Sequence, residues 1–147
     1  MVWLYLLVCL VAGALMPLQA GVNAQLARWV GHPVTASLVS FAVGTLALFA
    51  YSAATRPPLP SLGALAAAPW WVWAGGLLGS VFVTAAAAFA PRLGAATFIS
   101  VTIAGQVLVS ILLDHFGALG FAARPVTPLR LLGALLLVAG VLLVRKF

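Results

Sequence analysis

The amino-acid sequence predicts an all-α membrane protein with five transmembrane helices. Of its 147 residues, 65% are hydrophobic and 5% are charged, and the mean hydropathy is +1.25. A soluble domain carries about 25% charged residues. A globule of about 150 residues also leaves too much surface in water to hide so many apolar groups. The solvent for most of this surface is therefore lipid, and the same composition excludes disorder. The charges sit singly between long apolar runs: stretches 1–27, 30–55, 57–91, 93–113 and 131–144 contain none. A transmembrane helix needs about 20 mostly apolar residues.

The first helix is expected over residues 2–28. Trp3 and Trp29 lie 26 residues apart, about 39 Å along a helix, so both rings can sit at the two membrane interfaces. Leu18-Gln19-Ala20 loosely resembles a signal cleavage site. However, no basic residue precedes the apolar run, and the run is too long for a signal core. The second helix, 33–55, opens at Pro33, closes at Arg56-Pro57-Pro58 and carries Tyr51 near its exit. The third, 69–90, lies between Pro69 and Pro91, with Trp70 and Trp71 at its start. Proline is tolerated in a helix's first turn and just past its end. The fourth is expected over 94–117. The fifth, 128–146, has an uncharged part of only fourteen residues, about 21 Å. It spans if Arg130, Arg145 and Lys146 snorkel outwards and Phe147 anchors the end; otherwise it lies in the interface. Loops at 57–68 and 118–127 are rich in Pro, Gly and Ala. No soluble domain is expected, so residues 1–147 read as a single transmembrane domain.

Several function classes fall away. The net charge of +6 comes from scattered residues, Arg28, Arg56, Arg92, Arg124, Arg130, Arg145 and Lys146, whereas a nucleic-acid surface needs them clustered. The single cysteine, Cys9, lies in an apolar run and excludes a disulfide scaffold. No Ser-His-Asp set, metal-ligand cluster or phosphate-cradling loop is legible. An enzyme is not expected, nor is a cofactor or a metal. His32, between Gly31 and Pro33, reads as a turn residue.

The polar residues inside the spans carry the functional signal, because polar groups are costly in lipid and face a bundle interior or a cavity. Helix one contains Pro17, Gln19, Gly21 and Asn23. Gln19 and Asn23 are four apart and share a face. Pro17 frees a backbone carbonyl and Gly21 weakens the helix, so a kink is expected there. Gln19 and Asn23 can serve a transport site or bond neighbouring helices as packing contacts. Helix four carries Thr102, Gln106 and Ser110 at four-residue spacing, and Gln106 near its middle needs a partner. Ser37, Ser40, Thr45, Ser80 and Thr84 are expected mainly to bond their own helix backbones. Gly75 with Gly79, and more loosely Gly133 with Gly140, permit close helix packing. Asp114 and His115 end helix four. Asp114 is expected to pair with an arginine or cap a loop; proton coupling through either residue is the alternative.

With five spans, Arg56, Arg124 and Arg130 share one side, and Arg28, Arg92, Arg145 and Lys146 share the other. Orientation follows Lys/Arg excess, and this chain has almost none. One reading is that packing or a single charge settles the orientation. The other is that the chain inserts both ways and opposite copies pair. Many transporters are inverted repeats with the substrate near mid-membrane, and five helices amount to one repeat lacking its mate.

These residues carry a family resemblance over essentially the whole chain. Pro17, Gln19, Gly21 and Asn23 followed by Leu26 form one motif; Trp73, Gly75, Gly76 and Gly79 form a second. Leu-Gly-Ala-Ala-Thr at 93–97, Gly105-Gln106, Asp-His-Phe-Gly at 114–117, and Arg-Leu-Leu-Gly at 130–133 running on to Gly140 complete the set. The sequence resembles the half-length, YdcZ-type (EamA-like) members of the drug/metabolite transporter superfamily. The resemblance implies a five-helix half of a ten-helix inverted-repeat transporter, with an antiparallel homodimer supplying the second half; the placement of Lys and Arg points to a bacterial-type inner membrane. The superfamily's small multidrug members depend on an acidic residue in their first helix. This chain has Gln19 and Asn23 in that region, which favours a neutral or zwitterionic metabolite or a lipid headgroup over cation/proton exchange.

The leading expectation is a transporter of a small solute, with Gln19, Asn23 and Gln106 lining a mid-membrane cavity and Thr102 and Ser110 beside them. A lipid flippase and a non-transporting membrane scaffold are the alternatives. Membrane lipid and a second copy are the expected partners.

Overall fold

The computed structural model describes residues 2–147. It is 86% helical, and five of its helices are long and apolar enough to cross a membrane. Lipid offers no hydrogen bonds to an open backbone, so the helix is the available solution for such a sequence.

Helix α1 (Val2–Val30) runs without interruption through Pro17. The proline has no N–H for the carbonyl of Gly13, one turn earlier. Helix α2 (Pro33–Thr55) starts with Pro33 in its first turn, and His32 caps it: its Nδ1 accepts the Val34 N–H at 3.2 Å. Beyond Thr55 the chain leaves the helix through Arg56 in the left-handed region (φ 47). The stretch expected to be loop contains a short helix, α3 (Leu62–Ala67), because the Ser61 hydroxyl accepts the Ala64 N–H at 3.1 Å and caps it.

The third span begins with a 3₁₀ turn, Trp70–Trp73, and continues as α4 (Ala74–Leu93). Pro91 lies within the last turn of α4 rather than beyond it. Gly94, at φ 84, makes the one-residue turn into α5 (Ala95–Phe116), a backbone conformation that disfavours any side chain. Helix α6 (Pro128–Lys146) is capped by Thr127, whose hydroxyl accepts the Arg130 N–H at 3.3 Å. Its 19 residues rise about 28 Å, close to the roughly 30 Å of a bilayer's apolar core.

The chain forms two compact units. One comprises residues 18–91: the second half of α1, then α2, α3 and most of α4. The other comprises residues up to Pro17 together with 92–147. In the first unit the buried residues are Ala20, Asn23, Ala24, Ala36, Ser37, Val83, Ala86, Ala87 and Ala90. In the second they are Phe98, Ala104 and Ala134. Small side chains are inside, and the large apolar ones are outside. Without a hydrophobic force between helices in lipid, close backbone approach is what packs them. The exposed Trp3, Trp29 and Trp70 flank the spans.

Of the four glycines expected to pack, Gly79 has a close neighbour: an added Cβ would lie 3.6 Å from the Phe41 ring. At Gly75, Gly133 and Gly140 an added Cβ would meet nothing within 4 Å among the described residues.

The loop between α5 and α6 is tied at several points. Gly117 takes a left-handed conformation (φ 59), and its N–H bonds the Asp114 carbonyl. The same carbonyl accepts the Arg124 N–H at 2.7 Å. The Asp114 carboxylate accepts Arg130 Nη2 at 3.1 Å, while Arg130 Nη1 donates to the Arg124 carbonyl at 3.2 Å. His115 Nδ1 accepts the Val126 N–H at 3.2 Å. An added Cβ on Gly117 would lie 3.2 Å from the Ala123 Cβ. Gly117→Ala should therefore lower stability in detergent by about 1–2 kcal/mol, the cost of a left-handed non-glycine residue. Gly76→Ala, where the space is open, should change stability by less than about 0.5 kcal/mol. Equal thermal shifts for the two variants would contradict this account of the loop.

Candidate functional site

In the unit of residues 18–91, α1, α2 and α4 border an open cleft of about 230 Å³. Gln19 comes from α1; Ser40, Phe41, Gly44, Thr45 and Leu48 from α2; Val83 from α4. The α2 residues fall at one-turn spacing and form a single stripe. Gly44 leaves room at the centre of that stripe, and an added Cβ there would meet no described atom within 4 Å. The volume equals that of about seven or eight waters, the scale of a small metabolite.

The cleft combines an amide and two hydroxyls that are unbonded. Elsewhere on the spanning helices Ser37, Thr55, Ser80, Ser100 and Thr102 bond their own helix carbonyls, while Thr35, Ser52, Thr97 and Ser110 make no side-chain hydrogen bond to a described residue. Ser80 donates to the Leu77 carbonyl, Ser100 to Ala96 and Thr102 to Ile99, at 2.7–2.9 Å. Ser37 donates to the Pro33 carbonyl at 3.0 Å and accepts the Thr84 hydroxyl at 2.9 Å, which ties α2 to α4. In the cleft, the side chains of Gln19, Ser40 and Thr45 make no hydrogen bond to any described residue. Two other grooves differ. One, along Ser80 and Thr84, and one between α5 and α6 at Ser100, present hydroxyls that are already satisfied.

Asn23 lies one turn beyond Gln19 on α1. It is 3% exposed, and its Nδ2 has no partner among the described residues. A buried unsatisfied amide costs roughly 1–3 kcal/mol. The unit's other buried polar residue, Ser37, is by contrast fully bonded.

The remaining sequence candidates lie in the other unit. Thr102 is half-buried and bonded to its own backbone. Gln106 and Ser110 are exposed on α5 and make no hydrogen bond to any described residue. Asp114 and His115 are engaged in the loop ties, with Arg130 and Val126 as their partners. Among the described residues, no group of His, Cys, Asp and Glu is placed to hold a metal ion.

Ser40, Thr45, Phe41, Gly44, Leu48 and Val83 were not singled out by sequence reasoning as lining residues. The available signal was the pattern Ser40, Gly44 and Leu48 with Phe41 and Thr45, which sets two hydroxyls and a gap on one helical stripe.

Five apolar spans and small-residue packing define a helical integral membrane protein. Residues 4–143 match the family described as "Putative inner membrane exporter, YdcZ", and the chain belongs to that family. It is an integral protein of the inner membrane. Over 82 residues it is 42% identical to the inner membrane protein YdcZ of Escherichia coli K12. That segment is 52% of this chain and 51% of the relative, so the similarity spans about half of each. No solved structure matches the chain.

Two substitutions separate a ligand-binding amide from a packing one. Ser37→Ala, which breaks the tie to Thr84, should lower stability by about 0.6 kcal/mol and at most about 1.7. Asn23→Ala should leave stability within about 0.5 kcal/mol of the parent, because relief of the unsatisfied amide offsets the lost packing. A large loss of thermal stability in Asn23→Ala would show that the amide serves packing.

Proposed function

We propose that the protein is a small transporter that moves a neutral or zwitterionic metabolite across the inner membrane. Family membership supports a transport role. The observation that carries the reading is the cleft with three hydrogen-bonding side chains left open, Gln19, Ser40 and Thr45, against Phe41, Leu48 and Val83. One amide and two hydroxyls can bind an uncharged polar group, while the apolar wall holds the rest of a solute. The cleft lining includes no ionisable side chain, so nothing in it balances a net charge on the cargo. Asn23 behind Gln19 is a further donor for the cargo, or for a changed arrangement of α1 during transport.

In this reading two copies pair antiparallel, each supplying one half of a ten-helix inverted repeat. The near balance of Lys and Arg on the two sides supports insertion in both orientations. The mid-membrane position of the polar residues suits such a pair. The ion pair and loop ties at Asp114 and His115 give both residues a structural task, so a coupling role is not part of the proposal.

The test is a comparison of solutes in the medium of cells expressing the protein and of empty-vector cells. Expression should raise at least one small uncharged or zwitterionic solute. Gln19→Leu with Thr45→Val should reduce that rise by more than about ten-fold, the effect of losing two binding hydrogen bonds at roughly 1 kcal/mol each. Membrane insertion and yield should not change. An unaltered medium on expression, or failure of the double variant to insert, would overturn the proposal.

A further inference from the structure

Helix α5 carries an amide with no internal explanation. Gln106 lies eleven residues from the first residue of Ala95–Phe116 and ten from the last, at the centre of a membrane-spanning helix. It is exposed and makes no hydrogen bond to any described residue. Apart from Ser110 one turn on, the exposed surface around it is apolar: Val101, Ile103, Leu108, Val109 and Leu112. Left against lipid tails, an amide at this depth would keep its donors and acceptor unsatisfied, at a cost of several kcal/mol. The neighbouring Gly105 has open space at its missing Cβ, so another backbone can come close beside the amide.

We infer that Gln106 pairs with the Gln106 of a second copy, across a two-fold axis lying in the membrane plane. The inference rests on the antiparallel dimer proposed above and adds its contact point. The symmetry makes the position informative. In an antiparallel pair of α5 helices, a residue meets its own copy only at the helix centre; anywhere else the two copies sit at different depths. Gln106 is the α5 side chain with amide chemistry, and it occupies that centre. An amide is also self-complementary, because each copy can donate N–H and accept at C=O, so two face-to-face amides satisfy one another. A lipid tail offers no such partner. The cleft near Gln19 then remains free for cargo, and the Gln106 pair serves as the fixed contact between copies.

The register follows. Residues 102 and 110 lie four positions either side of 106, so Thr102 of one copy faces Ser110 of its mate. Two copies of residue 102 would lie about 12 Å apart along the axis, eight residues at 1.5 Å, which is beyond the Cα separation of about 7 Å that a disulfide can bridge.

The experiment uses full-length protein in membranes with Cys9→Ala, in differently tagged copies, so that dimer formation is measured independently by co-purification. Thr102→Cys and Ser110→Cys, both retaining Gln106, should cross-link with each other on oxidation, and neither should cross-link with itself. Gln106→Cys should cross-link with itself. Gln106→Leu should weaken association of the two tagged copies roughly three- to twenty-fold, the range for one interhelical hydrogen bond in a bilayer. Self-cross-linking of Thr102→Cys would overturn the antiparallel register and the dimer reading with it. Co-purification of tagged copies without any cross-link at 102, 106 or 110 would overturn the Gln106 contact and leave the dimer standing. Lost transport in Gln106→Leu with unchanged association would assign the amide to cargo and overturn the inference.

Discussion

A hydrogen-bonding group in lipid must find its partner within the protein, and the rest of this structure follows from that constraint. The backbone satisfies it by folding into helices wherever the chain lacks charge. The helix ends satisfy it with side chains: His32, Ser61 and Thr127 each accept a backbone N–H. Ser37, Thr55, Ser80, Ser100 and Thr102 satisfy it by bonding a carbonyl three or four residues back. The groups left unpaired include Asn23 inside one unit, Gln19, Ser40 and Thr45 in its cleft, and Gln106 on α5. A protein selected for stability alone would gain by replacing these groups with leucine or alanine. Their presence is best explained by an occupant that comes and goes, or by a second copy.

Packing obeys the same solvent. Because lipid is as apolar as leucine, burying leucine gains little, and the interior is given over to alanine with a few larger residues. The unit of residues 18–91 has polar groups within such an interior, and one interhelical hydrogen bond, Thr84 to Ser37, ties two of its helices. The unit that contains α5 and α6 is held differently. Its loop between α5 and α6 is fastened by the Asp114–Arg130 pair and by backbone bonds at Gly117, Arg124 and Val126. Asp114 and Arg130 are each less than a third exposed, so the pair is shielded more than a surface ion pair and positions the start of α6. That arrangement leaves the chain's single acid fully engaged.

Much of the fold was legible in the sequence, because span length and charge punctuation are determined by composition. Pro33 marks the start of α2, and Trp3, Trp29 and Trp70 lie at the ends of spans. The details that escaped are those set by local hydrogen bonds. The short helix Leu62–Ala67 depends on one serine cap in a stretch that otherwise reads as loop. The loop after α5 depends on which arginine reaches Asp114, and spacing alone does not decide between Arg124 and Arg130. The cleft was harder still. A serine or threonine on a spanning helix ordinarily bonds its own backbone, and Ser37, Ser80 and Thr102 do. Only the three-dimensional arrangement separates Ser40 and Thr45 from them. Gln19 and Asn23 drew notice as polar residues in an apolar run; their different surroundings, an open cleft and a closed interior, are visible only in the structure.

The account depends on whether one chain can supply both halves of an inverted pair. The most direct test is the sidedness of the C-terminus. A cysteine appended after Phe147, with Cys9→Ala, would be labelled by a membrane-impermeant reagent from each face of sealed vesicles. Labelling in similar amounts from both faces is the result this account predicts. Labelling from one face alone would contradict it, because every copy would then share one orientation and no antiparallel pair could form.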